Sequence, residues 1–384
     1  MHASKIYIIK FIIVLLPLFF LPSLASADFF NYARYLDLEL EPEVQLIRDA
    51  FRHSKKPTRA KIRALNRLLT IHQKVRSKPL NKVKVNAQAS LFLASLLFSQ
   101  GDFAKAENIL TKAKKGIQNS GNKKLRLYLL FQFGMVTFSS QRYQEAASFY
   151  TAAHNLSIRL NNPTMMALTD LALGEVQLLT GDTRSALYNF KTAYAGLIKL
   201  NKVILAADAG ILYFALTSKK PNATFSEINI SELIDLVRLT PDDTKRMQQM
   251  SEILETYNSI AEGILPQSII TKFRKLANES FELSGQSKKR QGLRSVTSNL
   301  VQMFENEGRY FKALKLIQDT LSKDKASLTT EELIPLYLKQ ARLLKLTDQN
   351  EDSILGYQAS LSLLQSAILD NKHIGKAKAV KRII

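Results

Sequence analysis

The chain has 384 residues, and its 54 Lys and Arg outnumber its 33 Asp and Glu, which gives a formal net charge of +21. A content of 46% hydrophobic and 23% charged residues excludes wholesale disorder. The lack of Cys excludes disulfides, thiolate-bound metals and a Cys nucleophile from this chain, and only 14 Gly leave little room for phosphate-binding loops. The length suits two or three domains or one elongated array.

Residues 1–27 have the features of a secretory signal peptide. Two lysines give a positive start, an apolar run covers residues 11–22, and Ala25 and Ala27 satisfy the small-x-small cleavage rule. The run is shorter than the roughly 20 residues of a membrane-spanning helix, and no later stretch approaches that length. We therefore predict cleavage after Ala27 and export to the periplasm or the medium, with no transmembrane span in the mature chain. An uncleaved N-terminal anchor is the alternative.

Residues 28–84 are predicted to form a basic helical cap. Between residues 52 and 84 there are 12 Lys or Arg and no acidic residue, while apolar residues continue at helical spacing. Such a patch first suggests nucleic acid, but export disfavours that partner. An anionic envelope surface or an acidic protein is the better candidate, and a solvated face without a dedicated partner is the alternative. The candidate basic face consists of Arg52, Lys55, Lys56, Arg59, Lys61, Arg63 and Arg67.

The middle of the chain carries a sequence repeat whose neighbouring units lie about 40 residues apart, a spacing in the range of helical-repeat arrays. Its predicted turns are at Gly101, Gln141, Gly181, Gly308 and Asp348. Seven residues before each turn stands a residue that is usually small: Ala94, Gly134, Gly174, Val301 and Ala341. Five residues after each turn stands Ala or Ser: Ala106, Ala146, Ala186, Ala313 and Ser353. Small residues at both positions let two helices pack closely, and Gly at a turn takes the positive φ that ends a helix.

A larger side chain follows four residues after each Ala or Ser of the second helix. These side chains are Leu110, Tyr150, Phe190, Ile317 and Tyr357. The pattern predicts that each fills the space beside the next repeat. Apolar residues at helical spacing on both sides of every turn favour α-helix over strand.

The repeat resembles the tetratricopeptide repeat (TPR) in its small, small, aromatic and alanine positions. The match is fullest over residues 87–200 and weaker over residues 294–365. The usual unit has about 34 residues, so longer helices or longer linkers are expected here, and the opening Trp of the family is missing. The resemblance implies an all-α fold, a superhelical TPR-like solenoid of antiparallel helix pairs, that binds a protein or a peptide.

The predicted organisation follows from the repeat positions. The cap at 28–84 is followed by three TPR-like repeats at 85–200, degenerate helical repeats at 201–293, two further repeats at 294–370 and a basic tail at 371–384. The degenerate region is predicted to contain the helices Ile204–Ser218, Ser226–Leu239, Asp243–Leu265 and Gln267–Leu283. Most of the positive charge lies at the two ends, with +12 over residues 52–84 and +5 over the tail.

In TPR proteins the first helix of each pair lines the concave face, so the resemblance identifies a candidate groove. Its nine residues are Leu91, Ser95, Phe98, Phe131, Met135, Phe138, Leu171, Glu175 and Leu178. Family members that clamp a C-terminal carboxylate carry Lys, Asn and Arg there, which this mostly apolar stripe lacks. The alternative is that the stripe packs against a neighbouring helix or an oligomer partner.

We find no sequence pattern that predicts catalysis, a cofactor or a metal. The histidines beyond the signal do not lie at i, i+3 or i, i+4 spacing, and no GxSxG, Walker, GxGxxG or HExxH motif occurs. Carboxylate pairs such as Asp242-Asp243 stand at predicted helix starts, where negative charge caps the helix. We therefore predict a non-enzymatic scaffold or adaptor.

Residues 336–366 resemble the last repeat before the peptidase domain of exported bacterial CHAT proteins. The similarity rests on Leu336-Tyr337, on the segment 340–345 and on Ile354 and Tyr357. In that family a TPR array precedes a caspase-like domain with a His/Cys dyad, and this chain contains no Cys. The alternative function is therefore an accessory or truncated relative of a CHAT-type peptidase system.

Overall fold

The structure is a computed structural model that describes Val44 and residues 79–218, 230–260, 267–286, 293–324 and 330–380. The predicted signal peptide, its cleavage after Ala27 and the candidate basic face from Arg52 to Arg67 lie outside the described residues.

The described residues form 14 α-helices and no strand. The helices are α1 (Pro79–Ser99), α2 (Phe103–Asn119), α3 (Lys123–Ser139), α4 (Tyr143–Arg159), α5 (Pro163–Thr180), α6 (Thr183–Lys199), α7 (Val203–Thr217), α8 (Ile230–Arg238), α9 (Asp243–Asn258), α10 (Gln267–Gln286), α11 (Leu293–Asn306), α12 (Tyr310–Asp324), α13 (Thr330–Leu346) and α14 (Asn350–Val380). None of these helices combines the length and the hydropathy that crossing a membrane requires.

The turns explain why the repeat is longer than the usual TPR unit. Positive φ angles recur at a regular interval, at Gly101, Gln141 and Gly181 inside helix pairs and at Gly121, Asn161 and Asn201 between pairs. Helices α2, α3, α4 and α6 each contain 17 residues. Short turns therefore join helices that are longer than those of a unit of about 34 residues.

Local capping fixes both ends of these helices. The side chains of Asp102, Asn122, Asn162 and Asp182 each accept a hydrogen bond from the backbone N–H three residues on, which satisfies an N–H that the helix leaves unpaired. Asp242 caps α9 in the same way, as predicted from the carboxylate pairs. At the end of α5, Gly181 has φ +88° and the N–H of Asp182 donates to the carbonyl of Gln177, a Schellman-type ending.

The described residues divide into two compact units, one that ends at Tyr213 and one that begins at Phe214. In the first unit, α1 packs on α2, α3 on α4 and α5 on α6, and the short turns make each pair antiparallel. Contacts of α2 with α3 and of α4 with α5 join successive pairs, and one core cluster runs through α1 to α5. The predicted all-α class and the antiparallel helix pairs are thus confirmed.

The small residues of the repeat admit the large side chain of their own pair. A Cβ added to Gly134 would lie 2.5 Å from the ring of Tyr150, and one added to Gly174 would lie 2.6 Å from the ring of Phe190. The sequence pattern predicts that these rings fill space beside the next repeat, whereas the structure places them against the first helix of the same pair. Close approach of the two helices therefore depends on the missing Cβ.

The second unit repeats the arrangement with different contacts. Helices α9 and α10, α11 and α12, and α13 and α14 form pairs, while α11 also packs on α9 and on α13. The predicted helices at 204–218, 243–265 and 267–283 correspond to α7, α9 and α10, but α9 ends at Asn258. The helix predicted at 226–239 is described from Ile230 onward as α8.

Candidate functional site

The candidate groove is largely closed by packing. Ser95 and Leu178 are half-buried. The other seven residues are buried: Leu91, Phe98, Phe131, Met135, Phe138, Leu171 and Glu175. A ligand laid along this stripe would therefore reach only two of the nine side chains without a rearrangement of the first unit.

Aromatic contacts show where two of these side chains go. The ring of Phe98 lies 5.3 Å from that of Phe103, and the ring of Phe138 lies 5.7 Å from that of Tyr143. Each contact bridges the turn between the two helices of one pair. Each of these phenylalanines therefore packs inside its own helix pair. This agrees with the alternative that the stripe packs against a neighbouring helix.

The last helix of the second unit carries an exposed apolar face, which we call the α14 stripe. It consists of Ile354, Tyr357, Leu361 and Leu364, whose spacing of three and four residues places them on one side of α14. Their side chains are between 41% and 57% exposed. Leu355, beside the stripe, is 62% exposed.

The equivalent face of the preceding repeat in the second unit can be compared with the α14 stripe. The residues at the equivalent positions one repeat before Ile354, Tyr357 and Leu361 are Leu314, Ile317 and Leu321 on α12. All three of these are buried, in a cluster that includes residues of α13. On α12 these positions are buried in a cluster that includes residues of both α11 and α13, whereas on α14 they are exposed.

The first unit carries a second open feature, which we call the basic cleft. Because α3 and α4 are antiparallel, the first turns of α3 lie beside the last turns of α4, where they enclose a cleft of about 390 Å³. Its polar rim consists of Lys123, Arg126, Asn155 and Arg159, all exposed. Its apolar floor consists of Leu130, Ala152 and Leu156.

The three cations of the basic cleft have no acidic partner among the described residues. Within the described residues Arg159 donates one hydrogen bond, from its Nε to the backbone carbonyl of Asn155 at 3.2 Å. In contrast, Arg142 in the same unit pairs with Glu107 at 2.7 Å and with Glu145 at 3.1 Å. The rim therefore presents uncompensated positive charge next to an apolar surface.

A histidine and an aspartate join α4 to α5 in the first unit. His154 Nδ1 lies 3.0 Å from Asp170 Oδ1 and 3.1 Å from the hydroxyl of Thr169. Burial raises the pKa of Asp170, and both the charge of His154 and a hydrogen bond from Thr192 oppose that rise. In the described part of the chain no three His, Asp or Glu are placed to hold a metal ion. We therefore assign this pair to packing between helix pairs.

The second unit contains a charged cluster around the buried carboxylate of Glu305. Both carboxylate oxygens of Glu305 are buried without a hydrogen bond, and Arg342 Nε lies 3.8 Å from one of them. Lys339 Nζ donates to the carbonyl of Ser298 at 3.1 Å. Burial lowers the pKa of Lys339, and the nearby Glu305 partly offsets this shift. The cluster links α11 with α13 and has no counterpart in the motifs read from the sequence.

Comparison of the sequence with protein-family models finds no match, and comparison with curated protein sequences finds none either. Among solved structures the chain is similar to a tetratricopeptide repeat protein from Parabacteroides merdae, at 15% identity over 72% of this chain and 93% of that one, with a TM-score of 0.44. It is also similar to the apo form of the quorum sensor NprR from B. thuringiensis, at 12% identity over 87% and 99% of the two chains, with a TM-score of 0.45.

A third similar structure is a Rap protein complexed with Competence and Sporulation Factor, at 11% identity over 90% of this chain and 98% of that one, with a TM-score of 0.46. At these identities and scores no functional residue is carried over to this chain.

Proposed function

We propose that the protein is an exported, non-enzymatic helical-repeat scaffold that binds a partner protein on the α14 stripe. The proposal rests on a contrast between two helices. On α12 the side chains of Leu314, Ile317 and Leu321 are buried. On α14 the equivalent side chains of Ile354, Tyr357 and Leu361 are exposed. Contiguous exposed apolar side chains on a folded protein mark interaction surfaces.

The proposed occupant is an amphipathic helix of the partner protein. On α12 the equivalent residues lie in a core cluster with residues of α11 and α13, so helices are what cover this face where it is buried. Apolar residues at spacings of three and four on the partner would fill it as one helix of a pair fills the face of the next.

The export part of the proposal rests on residues 1–27, with their positive start, apolar run and small-x-small end. Expression in a bacterial host followed by mass spectrometry of the mature chain tests it. The expected N-terminus is Asp28. A mature chain that retains Met1 would contradict the proposal. Surface binding through residues 52–67 and kinship with a CHAT-type system stay predictions.

Site-specific photocrosslinking tests the docking surface. A benzophenone amino acid replaces Tyr357 in one variant and Tyr188, an exposed tyrosine of the first unit, in the control. We expect a discrete crosslinked protein from position 357 only, with the contact mapped to an amphipathic helix, and its loss in the additional variant Leu361→Glu. Equal labelling from both positions, or none from position 357, would refute the docking proposal.

A further inference from the structure

We propose that the basic cleft binds an acidic segment of a polypeptide, with a carboxylate at the rim and a neighbouring apolar side chain on the floor. This site lies in the first unit and is separate from the α14 stripe of the second. Four properties of the cleft support the proposal: its uncompensated charge, the replacement of two of its cations in the next repeat, the hydrogen bond that orients Arg159, and the apolar floor between the cations.

The two arginines of the rim differ from most arginines of the described chain, which have an acidic partner. Arg238 pairs with Glu279 at 3.0 Å and with Asp235 at 2.7 Å, so arginines of this protein are commonly neutralised in place. Within the described residues Lys123, Arg126 and Arg159 lack such partners, and the antiparallel pair brings all three to one cleft. Cations converging on a concave surface raise the local concentration of anionic ligands.

The repeat does not need two of the three rim cations. One repeat further on, Pro163 and Met166 of α5 stand where α3 has Lys123 and Arg126, and the α5–α6 pair forms the same antiparallel arrangement. Asp170 stands there in place of Leu130, and its carboxylate pairs with His154. Lys199 of α6 keeps a cation at the position of Arg159. The charges of Lys123 and Arg126 are therefore particular to the α3–α4 pair and are not a requirement of helix pairing.

One rim cation is held in position before a ligand arrives. The hydrogen bond from Arg159 Nε to the carbonyl of Asn155 ties the guanidinium to its own helix and leaves both terminal nitrogens without a partner in the described structure. A guanidinium offers a planar fork that matches a carboxylate, and fixing it beforehand reduces the ordering cost of binding.

The floor argues against an inorganic anion and against nucleic acid as the ligand. Leu130, Ala152 and Leu156 offer an apolar surface to which a bare inorganic anion would make no favourable contact. The lining residues include no aromatic ring on which a nucleobase would stack. A volume of about 390 Å³ lies within the range of roughly 300–1,000 Å³ typical of ligand pockets. An Asp or Glu beside an aliphatic residue fits both parts of the cleft.

Peptide display on the full chain tests the assignment. A library of random dodecapeptides is selected against the wild type, and a selected peptide is then titrated by fluorescence anisotropy. We expect enrichment of Asp or Glu next to Leu, Ile or Val. We also expect an affinity loss of about tenfold or more when the acidic residue becomes its amide, and weaker binding as salt rises from about 50 to about 200 mM.

Charge-reversal variants locate the site. The double variant Arg126→Glu, Arg159→Glu should lose the peptide, while Lys191→Glu, Lys199→Glu, which makes the same charge change on exposed residues of α6, should keep it. Circular dichroism checks that both variants retain wild-type helicity. Leu361→Glu should leave peptide binding unchanged, so that failure of this site and failure of the α14 proposal are told apart.

Three outcomes would overturn the inference. One is selection of peptides without acidic enrichment. Another is equal binding by the two double variants. The last is that the protein binds phosphatidylglycerol vesicles but no peptide, and that this binding requires Arg126 and Arg159. That result would assign the cleft to a lipid headgroup instead.

Discussion

Gly134 on α3 and Tyr150 on α4 share one space: a Cβ on the glycine would lie 2.5 Å from Cε1 of the tyrosine ring. The ring is fully buried and also lies 5.5 Å from that of Phe131. Gly174 stands in the same relation to Phe190 in the next pair. Where the small position holds Ala94, the residue sixteen places on is the aliphatic Leu110 instead. In these three pairs a larger residue on one helix thus goes with a smaller residue on the other.

Adding one methyl group at this contact should destabilise the first unit. We expect Gly134→Ala to lower the free energy of unfolding by about 1–3 kcal/mol, because overpacking outweighs the helix propensity that Ala adds. Gly196→Ala is the control, since its Cβ would meet only the Cβ of Ala167 at 3.2 Å and its loss should be smaller. Thermal and chemical denaturation measure both changes.

The combination found in the first repeat should restore stability. In the Gly134→Ala background, Tyr150→Leu recreates the Ala and Leu pairing of Ala94 and Leu110, and the two substitutions should show a favourable coupling energy. Additive losses in the double variant would show that Gly134 and Tyr150 do not compete for the same volume.

The turn at Gln141 stores backbone strain that glycine would remove. Its φ of 61° is in the left-handed region, which costs a residue with a Cβ roughly 1 kcal/mol or more. We expect Gln141→Gly to raise the free energy of unfolding by about 0.5–1 kcal/mol. Asn161→Gly, at φ 49°, should gain less because Asn tolerates this conformation. If Gln141→Gly unfolds at a lower denaturant concentration than the wild type, this account of the turn is wrong.

The turns and the helix pairs were accessible from the sequence because their signals are local. Gly181 and its equivalents stand at a fixed distance from the small residues on either side, so the register follows from spacing alone. The turns between pairs, at Gly121, Asn161 and Asn201, carry the same kind of signal and complete the period of the repeat.

The surfaces were harder to predict because exposure depends on what packs nearby. Phe138 and Leu361 both belong to apolar stripes at helical spacing, yet one is buried and the other is 55% exposed. The basic cleft joins Lys123 with Arg159, which are far apart in the sequence and meet only through the antiparallel pairing of α3 and α4. Composition identifies such residues as apolar or charged but does not say which of them share a surface.

The buried carboxylate of Asp170 should make stability depend on pH. Its pKa in the folded state is raised above the ordinary value of 3.8, chiefly by burial, so the folded chain holds the proton more tightly than the unfolded chain. This contribution favours the folded state at low pH and is lost as pH rises from about 3.8 through the raised pKa. The variant Asp170→Asn should lack this pH-dependent contribution to the free energy of unfolding.

Urea denaturation of the wild type and of Asp170→Asn at a series of pH values between about 3 and 6 measures the difference. Asp182→Asn serves as the control, because the pKa of Asp182 is lowered, mainly by its hydrogen bond with Ser185, and its contribution has the opposite sign. Parallel profiles for the wild type and Asp170→Asn would contradict the assignment.

Truncating a side chain of the candidate groove tells whether the stripe serves packing or ligand binding. Phe138 is buried against Tyr143, so Phe138→Ala should cost about 3–5 kcal/mol of unfolding free energy and lower the thermal midpoint. Ser95, which lies half-buried on the same stripe, provides the matched control, since Ser95→Ala removes only a hydroxyl bonded to the carbonyl of Phe92. A Phe138→Ala variant as stable as the wild type would mean that the ring is available to a ligand and would restore the groove as a binding surface.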